Sequence, residues 1–382
     1  MRGSRSLNPF TLGIISTDHE FCNRKKEIEE LTRHALNCTH VVIFSPRRYG
    51  KTSLVKQVMA RVSSQGYLAI YVDCFSVIAR EDLVQKFASA VIASMGKNVI
   101  EGDILQKTMK LFKRIIPSLD IRPDGVSISA KYDQSTGFPY LIEDIFNGVA
   151  KHLRSKKTKC LIVFDEFQEI SELKESKQVE GLLREQVQAV SDMGCFFVGS
   201  RRRILQSMFS DRKRPFFKLA FNYPLEKISR EELANHIVKL FAKTRKACSL
   251  TLAGDLYDHV EGNTYYVRKL SHLLWDMTEK AATSDLLSAA KAELLEAEGL
   301  DLQGVFAGLL MGEKKLAMAL AKEPTGKPYA MDYLKKHNLS PGGLQKSMKS
   351  LLGKDIVEPD HEGIYRLTDP LFGRWCRAQG MI

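Results

Sequence analysis

The stretch VVIFSPRRYGKTSLVKQVM, from Val41 to Met59, decides the fold of this chain. Its first four residues are apolar, rich in β-formers, and end abruptly at a turn, which predicts a buried strand. A short loop follows from Ser45 to Gly50, and the next nine residues have apolar side chains at helical spacing. The order strand, tight loop, helix is the setting of a phosphate-binding loop.

This loop predicts a nucleotide site because its backbone N–H groups and those of the helix N-terminus converge on an anion. In that pattern a glycine permits the close turn, a lysine supplies charge to the β- and γ-phosphates, and a hydroxyl reaches Mg²⁺. Ser45 stands where the G-x-x-x-x-G-K-[ST] pattern has its first glycine. The predicted nucleotide-binding residues are Pro46, Arg47, Arg48, Tyr49, Gly50, Lys51, Thr52 and Ser53.

The tripeptide Gly-Lys-Thr alone also fits an ordinary turn, so a second motif is needed. The run LIVFDE provides it, since Asp165 and Glu166 end another apolar strand. We predict that Asp165, with Thr52, holds Mg²⁺, and that Glu166 orients and deprotonates the attacking water. Two acids at the end of a strand can also serve only as solvated or capping groups.

Two further positions are candidates for the same chemistry. Ser200 follows an apolar run, and this position indicates a sensor of the γ-phosphate. The alternative is that Ser200 is only a turn residue. A phosphoryl-transfer transition state needs a cation near its equatorial oxygens. Among the arginines that follow, Arg214 is the candidate finger, acting in trans on a neighbouring subunit; a surface or nucleic-acid-binding role is the alternative.

The order of elements predicts an α/β core. Apolar strands alternate with helical patterns, which implies a parallel sheet covered on both faces, with the ligand at the carboxyl ends of the strands. A helix from Asp103 to Ile116 and a hairpin from Ile121 to Tyr132 interrupt this pattern. The predicted strands are 41–44, 68–73, 160–164, 195–198 and one within 216–223.

Beyond Pro224 the predicted elements are helical as far as Gly299, which indicates a helical lid. Three short helices and a two-stranded ribbon then describe a winged helix-turn-helix domain. The predicted domains are therefore a P-loop core at 1–224, a lid at 225–304 and a winged helix at 305–382.

Composition limits the class of protein. The chain has 382 residues, 44% of them hydrophobic and 27% charged, which fits two or three globular domains. No apolar run is long enough for a membrane span or a signal peptide, so we expect a cytoplasmic protein without a membrane partner. The seven cysteines are scattered and form no Cys-x-x-Cys, which disfavours a zinc site or a disulfide framework.

Together these residues resemble a known family. Asn8-Pro9-Phe10, Phe21-x-Asn23-Arg24, the Pro46–Ser53 loop, Phe164-Asp165-Glu166-Phe167-Gln168, Gly199-Ser200 and Arg214-Pro215-Phe216-Phe217 are similar to the STAND-type AAA+ ATPases of archaea and bacteria. The resemblance implies a AAA+ core, an adenine pocket near Phe21, Asn23 and Arg24, ATP or ADP as the bound nucleotide, and ATP-dependent switching or oligomerisation.

The function of the C-terminal region stays open between two hypotheses. The net charge of +12 suggests a polyanionic partner, and Lys346, Lys349, Lys354 and Arg366 are placed to contact the phosphates of duplex DNA. A domain that binds protein or inhibits the ATPase is the alternative. We expect an ATPase; the competing hypothesis is a DNA-binding module in which nucleotide is a slow structural ligand.

Overall fold

The computed structural model describes residues 7–12, 22, 24–96, 110–122 and 125–379. The chain divides into two compact units, one of them Arg24–Glu226 and the other Lys227–Ile382 together with Met1–Asn23. None of the helices in the described ranges is long and apolar enough to cross a membrane.

The first unit is built on a parallel sheet whose strands are β1 Val41–Phe44, β2 Leu68–Asp73, β5 Cys160–Asp165, β6 Met193–Gly199 and β7 Phe221–Pro224. Their order across the sheet is β2-β5-β6-β1-β7. Strands β5 and β6 are buried along their whole length because helices cover both faces. Register brings the end of β2 level with the end of β5, and the end of β1 level with the end of β6.

Helices and one antiparallel hairpin complete this unit. The hairpin, β3 Ile115–Arg122 with β4 Gly125–Tyr132, begins earlier than predicted, because Ile115 already pairs with Tyr132. Half of the helix predicted from Asp103 to Ile116 lies outside the described residues. Residues 110–114 are not helical, and Ile115 and Ile116 belong to this hairpin, so the helix prediction is wrong for the described half. The helices are α1 Lys25–Leu36, α2 Lys51–Ser64, α3 Arg80–Gly96, α4 Phe138–Lys156, α5 Ser176–Ala189 and α6 Arg202–Ser210.

A cluster of aromatic rings lies between the sheet and the turn that follows β5. Phe167 packs on Phe197 with ring centroids 4.8 Å apart, and Phe209 stacks on Phe216 at 5.2 Å. Phe216 was expected near the start of the fifth strand, but it serves this cluster from a turn and the strand begins at Phe221. The cluster fixes the short 3₁₀ helix Phe167–Glu172 against the sheet.

The second unit is helical and ends in a winged helix. Its buried side chains form one hydrophobic core that runs from Ile228 to Cys376, so the predicted lid and winged helix share their packing. Trp275 and Trp375 belong to this core. The predicted domain boundaries, with the lid beginning at residue 225 and the winged helix at residue 305, stay a proposal.

The elements of the second unit follow the predicted order, with two helices that sequence patterns did not single out, Gly299–Ala307 and Pro370–Ala378. The ribbon pairs Val357 with Leu367 in antiparallel register. The elements are α7 Arg230–Lys243, α8 Leu250–His259, α9 Thr264–Met277, α10 Ser284–Ala297, α11 Gly299–Ala307, α12 Met311–Lys322, α13 Met331–Lys336, α14 Pro341–Gly353, β8 Val357–Pro359, β9 Tyr365–Leu367 and α15 Pro370–Ala378.

Candidate active site

The loop after β1 has the backbone of an anion site. Gly50 precedes α2 with a φ of 82°, in the left-handed region that favours glycine. It has no side chain to cap the helix, and the first N–H groups of any helix lack partners within it. The amide groups at the start of α2 are therefore available to a bound anion, where the helix dipole adds to the attraction.

Lys51 is buried, and the loop holds its ammonium group. Nζ donates to the carbonyl oxygens of Ser45 at 3.0 Å and Pro46 at 2.9 Å, and to the Ser45 hydroxyl at 3.3 Å. Burial lowers the pKa of Lys51 to about 8, although the nearby carboxylates of Glu166 and Asp165 oppose the shift. Serine in place of the first glycine thus adds a ligand for the lysine.

Asp165 lies at the end of β5 with its carboxylate nearly fully buried. The hydroxyls of Thr52 and Tyr71 both donate to Oδ2, each at 2.7 Å, and the Glu166 amide donates to Oδ1 at 3.0 Å. Burial raises the pKa of Asp165, and the two hydroxyl bonds oppose that rise. The structure therefore joins the predicted pair Thr52 and Asp165 and adds Tyr71, which sequence analysis missed.

The oxygen donors of Thr52 and Asp165 fit Mg²⁺, since this ion prefers hydroxyl, carboxylate and water oxygens. The two groups already lie within hydrogen-bonding distance of each other. They come from the first turn of α2 and the end of β5, so the sheet fixes both. These two residues are the ones that would hold the ion.

Glu166 follows directly but has a different setting. Its backbone takes a left-handed conformation, with φ at 49°, and its side chain is only partly buried. Oε2 accepts a hydrogen bond from the Ser200 hydroxyl at 2.8 Å and another from Gln168 Nε2 at 2.6 Å. Thus the structure joins the predicted base to the predicted sensor, and Gln168 is a second residue that sequence analysis missed.

Other predicted residues make contacts elsewhere in this unit. The Arg214 guanidinium donates to both carboxylate oxygens of Glu180. Arg24 is buried and donates to the carbonyl oxygens of Tyr49 at 3.1 Å and Glu226 at 3.0 Å. Arg47 and Arg48 are exposed, Tyr49 is buried, and Ser53 is partly buried. Phe21 and Asn23, predicted for the adenine pocket, lie outside the described residues.

The cations predicted to contact DNA divide into two pairs. Lys354 bonds Glu313 at 2.7 Å and Arg366 pairs with Asp360, so both are engaged within the winged helix. Lys346 and Lys349 are exposed on α14. Lys346 and Lys349 thus lie on the candidate recognition helix itself, whereas Lys354 and Arg366 are each paired with a carboxylate.

Comparison with protein families identifies two regions. A family described as an ATPase domain found predominantly in Archaea matches residues 21–270. A probable winged helix domain matches residues 302–378. A comparison with curated protein sequences found no match.

Solved structures share the fold at low sequence identity. A Walker-type ATPase of Pyrococcus abyssi is 15% identical, with a TM-score of 0.69 over 97% of this chain and 99% of that chain. The ORC2 protein of Aeropyrum pernix, solved in ADPNP–ADP complexes, is 16% identical, with a TM-score of 0.57 over 98% of each chain. The predicted fold class is confirmed: an α/β P-loop core built on a parallel sheet, followed by helices and a C-terminal winged helix.

Proposed function

Because this chain belongs to the family of ATPase domains found predominantly in Archaea, we propose that it binds ATP with Mg²⁺ and hydrolyses it to ADP and phosphate. The observation that carries the proposal is the meeting of two hydrogen-bonded pairs, Thr52 with Asp165 and Glu166 with Ser200, at neighbouring strand ends. An anion-binding loop adjoins them. Phosphoryl transfer needs a phosphate cradle, a metal ligand and a group that orients water.

In this proposal the loop binds the phosphates. Backbone amides at the start of α2 receive the phosphate oxygens, and Lys51 exchanges its bonds to the Ser45 and Pro46 carbonyls for bonds to the β- and γ-phosphates. The ammonium is buried, so its attraction to the phosphates is stronger than it would be in water. Thr52 and Asp165 would hold Mg²⁺, which would supply positive charge to the same phosphates when bound.

Glu166 supports the chemical step. A water molecule attacks the γ-phosphorus, the bond between that phosphorus and the ADP oxygen breaks, and Glu166 accepts the proton that the water loses. The Ser200 hydroxyl holds Oε2 of the carboxylate. Ser200 also lies at the end of β6, beside the loop strand, where it can respond to the γ-phosphate.

We further propose that the nucleotide state switches the conformation or the oligomeric state, in the manner of the STAND-type proteins that the sequence resembles. Arg214 acting in trans on a neighbouring subunit belongs to this proposal. Particle size in ATP and in ADP, measured by light scattering, tests the oligomeric part. Equal size in both nucleotides would argue against an oligomerisation switch.

Substituting Lys51 with alanine is expected to weaken ATP binding about 10–100-fold, the cost of one charge-assisted hydrogen bond. The reason is that no other side chain on α2 brings a buried cation to the loop in the described structure. Calorimetric titration with ATP and Mg²⁺ measures the change. The control is Lys174→Ala, which changes an exposed lysine of the same unit and should bind ATP as the wild type does. Equal ATP affinities for the wild type and both variants would contradict the assignment of Lys51 as a phosphate ligand.

A second candidate function is DNA binding through the winged helix, with nucleotide as a slow structural ligand. The observation that favours it is the outward position of Lys346 and Lys349 on α14. Phosphate contacts release counterions, so the logarithm of the affinity for a duplex should fall linearly with the logarithm of the salt concentration.

Substituting Lys346 and Lys349 together with alanine is expected to weaken duplex binding and to reduce the salt slope by roughly 0.9 for each lysine that no longer neutralises a phosphate. Fluorescence anisotropy with a labelled duplex across a salt series measures both. The pair Lys322→Ala and Lys327→Ala removes the same charge from exposed sites of this domain and should leave the slope unchanged. A wild-type protein without duplex affinity at low salt would end this candidate.

A further inference from the structure

We propose that Gln168 is a positioning residue of the ATPase centre: its side-chain amide, together with Ser200, fixes the Glu166 carboxylate so that one oxygen stays available to accept a proton. This inference rests on the proposed function, because it assigns a role to a neighbour of the proposed base. Gln168 lies in the 3₁₀ helix Phe167–Glu172 and is only 1% exposed.

Both hydrogens of the Gln168 amide go to carboxylates. Nε2 donates to Glu166 Oε2 at 2.6 Å and to Glu169 Oε1 at 3.1 Å. An amide nitrogen has two hydrogens, so its donor capacity is used completely. Hydrogen bonds to a charged acceptor are the stronger kind. The amide is therefore held by two acids, one of which is the proposed base.

Two donors reach the same oxygen of the Glu166 side chain. Ser200 Oγ and Gln168 Nε2 bond Oε2 from different elements, the end of β6 and the 3₁₀ helix. Two donors on one oxygen restrict rotation of the carboxylate more than one donor does. The other oxygen, Oε1, keeps its acceptor capacity, which is what a base that takes a proton from water requires.

The orientation of the Gln168 side chain is not explained by the environment of its amide oxygen. Oε1 of Gln168 is buried, and no donor bonds it among the residues that the structure describes. Burial of an unpaired amide oxygen is unfavourable. Turning the amide over would instead place that oxygen against two carboxylates. The nitrogen's bonds to Glu166 and Glu169 are thus the contacts that hold the side chain in place.

Gly199 makes room for this arrangement. A Cβ atom at position 199 would lie 2.1 Å from Gln168 Oε1 and 3.2 Å from Leu205 Cδ2. Such a separation from Oε1 is far below van der Waals contact, so any side chain there would displace the amide. The Gly-Ser pair at the end of β6 therefore serves Glu166 twice: Ser200 bonds it, and Gly199 admits the glutamine that also bonds it.

The test compares Gln168→Met, which keeps the length of the side chain and removes its donors, with Gln188→Met, an exposed glutamine on α5. Steady-state ATP hydrolysis and calorimetric binding of a non-hydrolysable ATP analogue are measured for each. We expect kcat to fall about 10–100-fold for Gln168→Met, as it does when catalytic groups are misplaced, while analogue affinity stays at the wild-type level. Gln188→Met should match the wild type in both.

A second route and a double variant separate positioning from folding. Gly199→Ala displaces the same amide and should lower kcat in the same way. In a Glu166→Gln background, Gln168→Met should cause no further loss, because groups that act as a unit are not additive. The inference would be overturned if a stably folded Gln168→Met protein had the kcat of the wild type. If Gln168→Met does not fold, the wild-type kcat in folded Gly199→Ala would overturn it instead. A further loss of kcat in the double variant would also overturn it. A wild-type protein that does not hydrolyse ATP would instead refute the proposed function.

Discussion

Glu166→Gln protein is expected to bind ATP like the wild type and to hydrolyse it about 10²–10⁴-fold more slowly, the contribution typical of a general base. The substitution keeps the shape of the side chain, and its amide oxygen still accepts the bonds that Ser200 and Gln168 donate. What it removes is the capacity to accept a proton from water. Phosphate release at saturating ATP measures the effect.

The matched control is Glu172→Gln, at the other end of the same 3₁₀ helix. Glu172 pairs with Arg201 at 2.7 Å, and its side chain is mostly exposed, so its loss should leave turnover within about twofold of the wild type. Calorimetric binding of ATP and Mg²⁺ shows whether Glu166→Gln retains the nucleotide site. Phosphate release from Glu166→Gln at the wild-type rate would remove the assignment of Glu166 as the base.

The two acids receive opposite environments although they are adjacent in sequence. Asp165 ends β5 and is buried under three donors, which suits a group that holds its position beside a cation. At Glu166 the chain turns into the left-handed region, and this moves the side chain to a partly open site. The metal ligand and the base that we propose need this difference in access to water, and one backbone turn produces it.

Local patterns were sufficient to predict much of this site. The loop from Ser45 to Thr52 was recognisable because it lies between a buried strand and an amphipathic helix. Asp165 and Glu166 were recognisable as acids that end an apolar run. Parallel strands carry their carboxyl ends to one edge, so the proximity of these two motifs also followed from the sequence.

Residues that act through strand order were not predictable in the same way. Tyr71 reaches Asp165 only because β2 lies beside β5 in the sheet, a neighbour relation that no local pattern encodes. Its one signal was a phenol in the apolar run LAIYVD. Gln168 lies two residues from Glu166, but its role depends on a left-handed turn and on the absence of a side chain at Gly199.

Arg214→Ala is expected to lower the free energy of unfolding by about 3–5 kcal/mol at pH 8, the usual cost of breaking a buried ion pair. The guanidinium donates to both oxygens of Glu180, whose side chain is completely buried. Without it, the buried carboxyl of Glu180 either stays charged with no countercharge or takes up a proton, and either change lowers the stability of the folded state. Urea denaturation followed by circular dichroism measures the change. Arg212→Ala, an exposed neighbour, is the control and should shift stability by less than about 0.5 kcal/mol.

The size of this effect should depend on pH. Burial raises the pKa of Glu180 to about 7, above its ordinary value of 4.5, and the attraction of Arg214 opposes that rise. The folded state therefore holds this proton more tightly than the unfolded state, and this group's contribution to stability decreases as pH rises from about 4.5 to about 7. Removing Arg214 raises the folded pKa further, so the penalty grows as pH passes 7 and is smaller at pH 5.5.

The same variants distinguish an ion pair from a finger in trans. A finger predicts that Arg214→Ala loses turnover while its unfolding free energy matches that of the wild type. The ion pair instead predicts the loss of stability described above. It also predicts that, in a Glu180→Gln background, Arg214→Ala no longer has the additional stability penalty above pH 7, because no buried charge then remains. If Arg214→Ala is as stable as the wild type at pH 8 but inactive, the contact with Glu180 is a resting position and the trans role of Arg214 is supported.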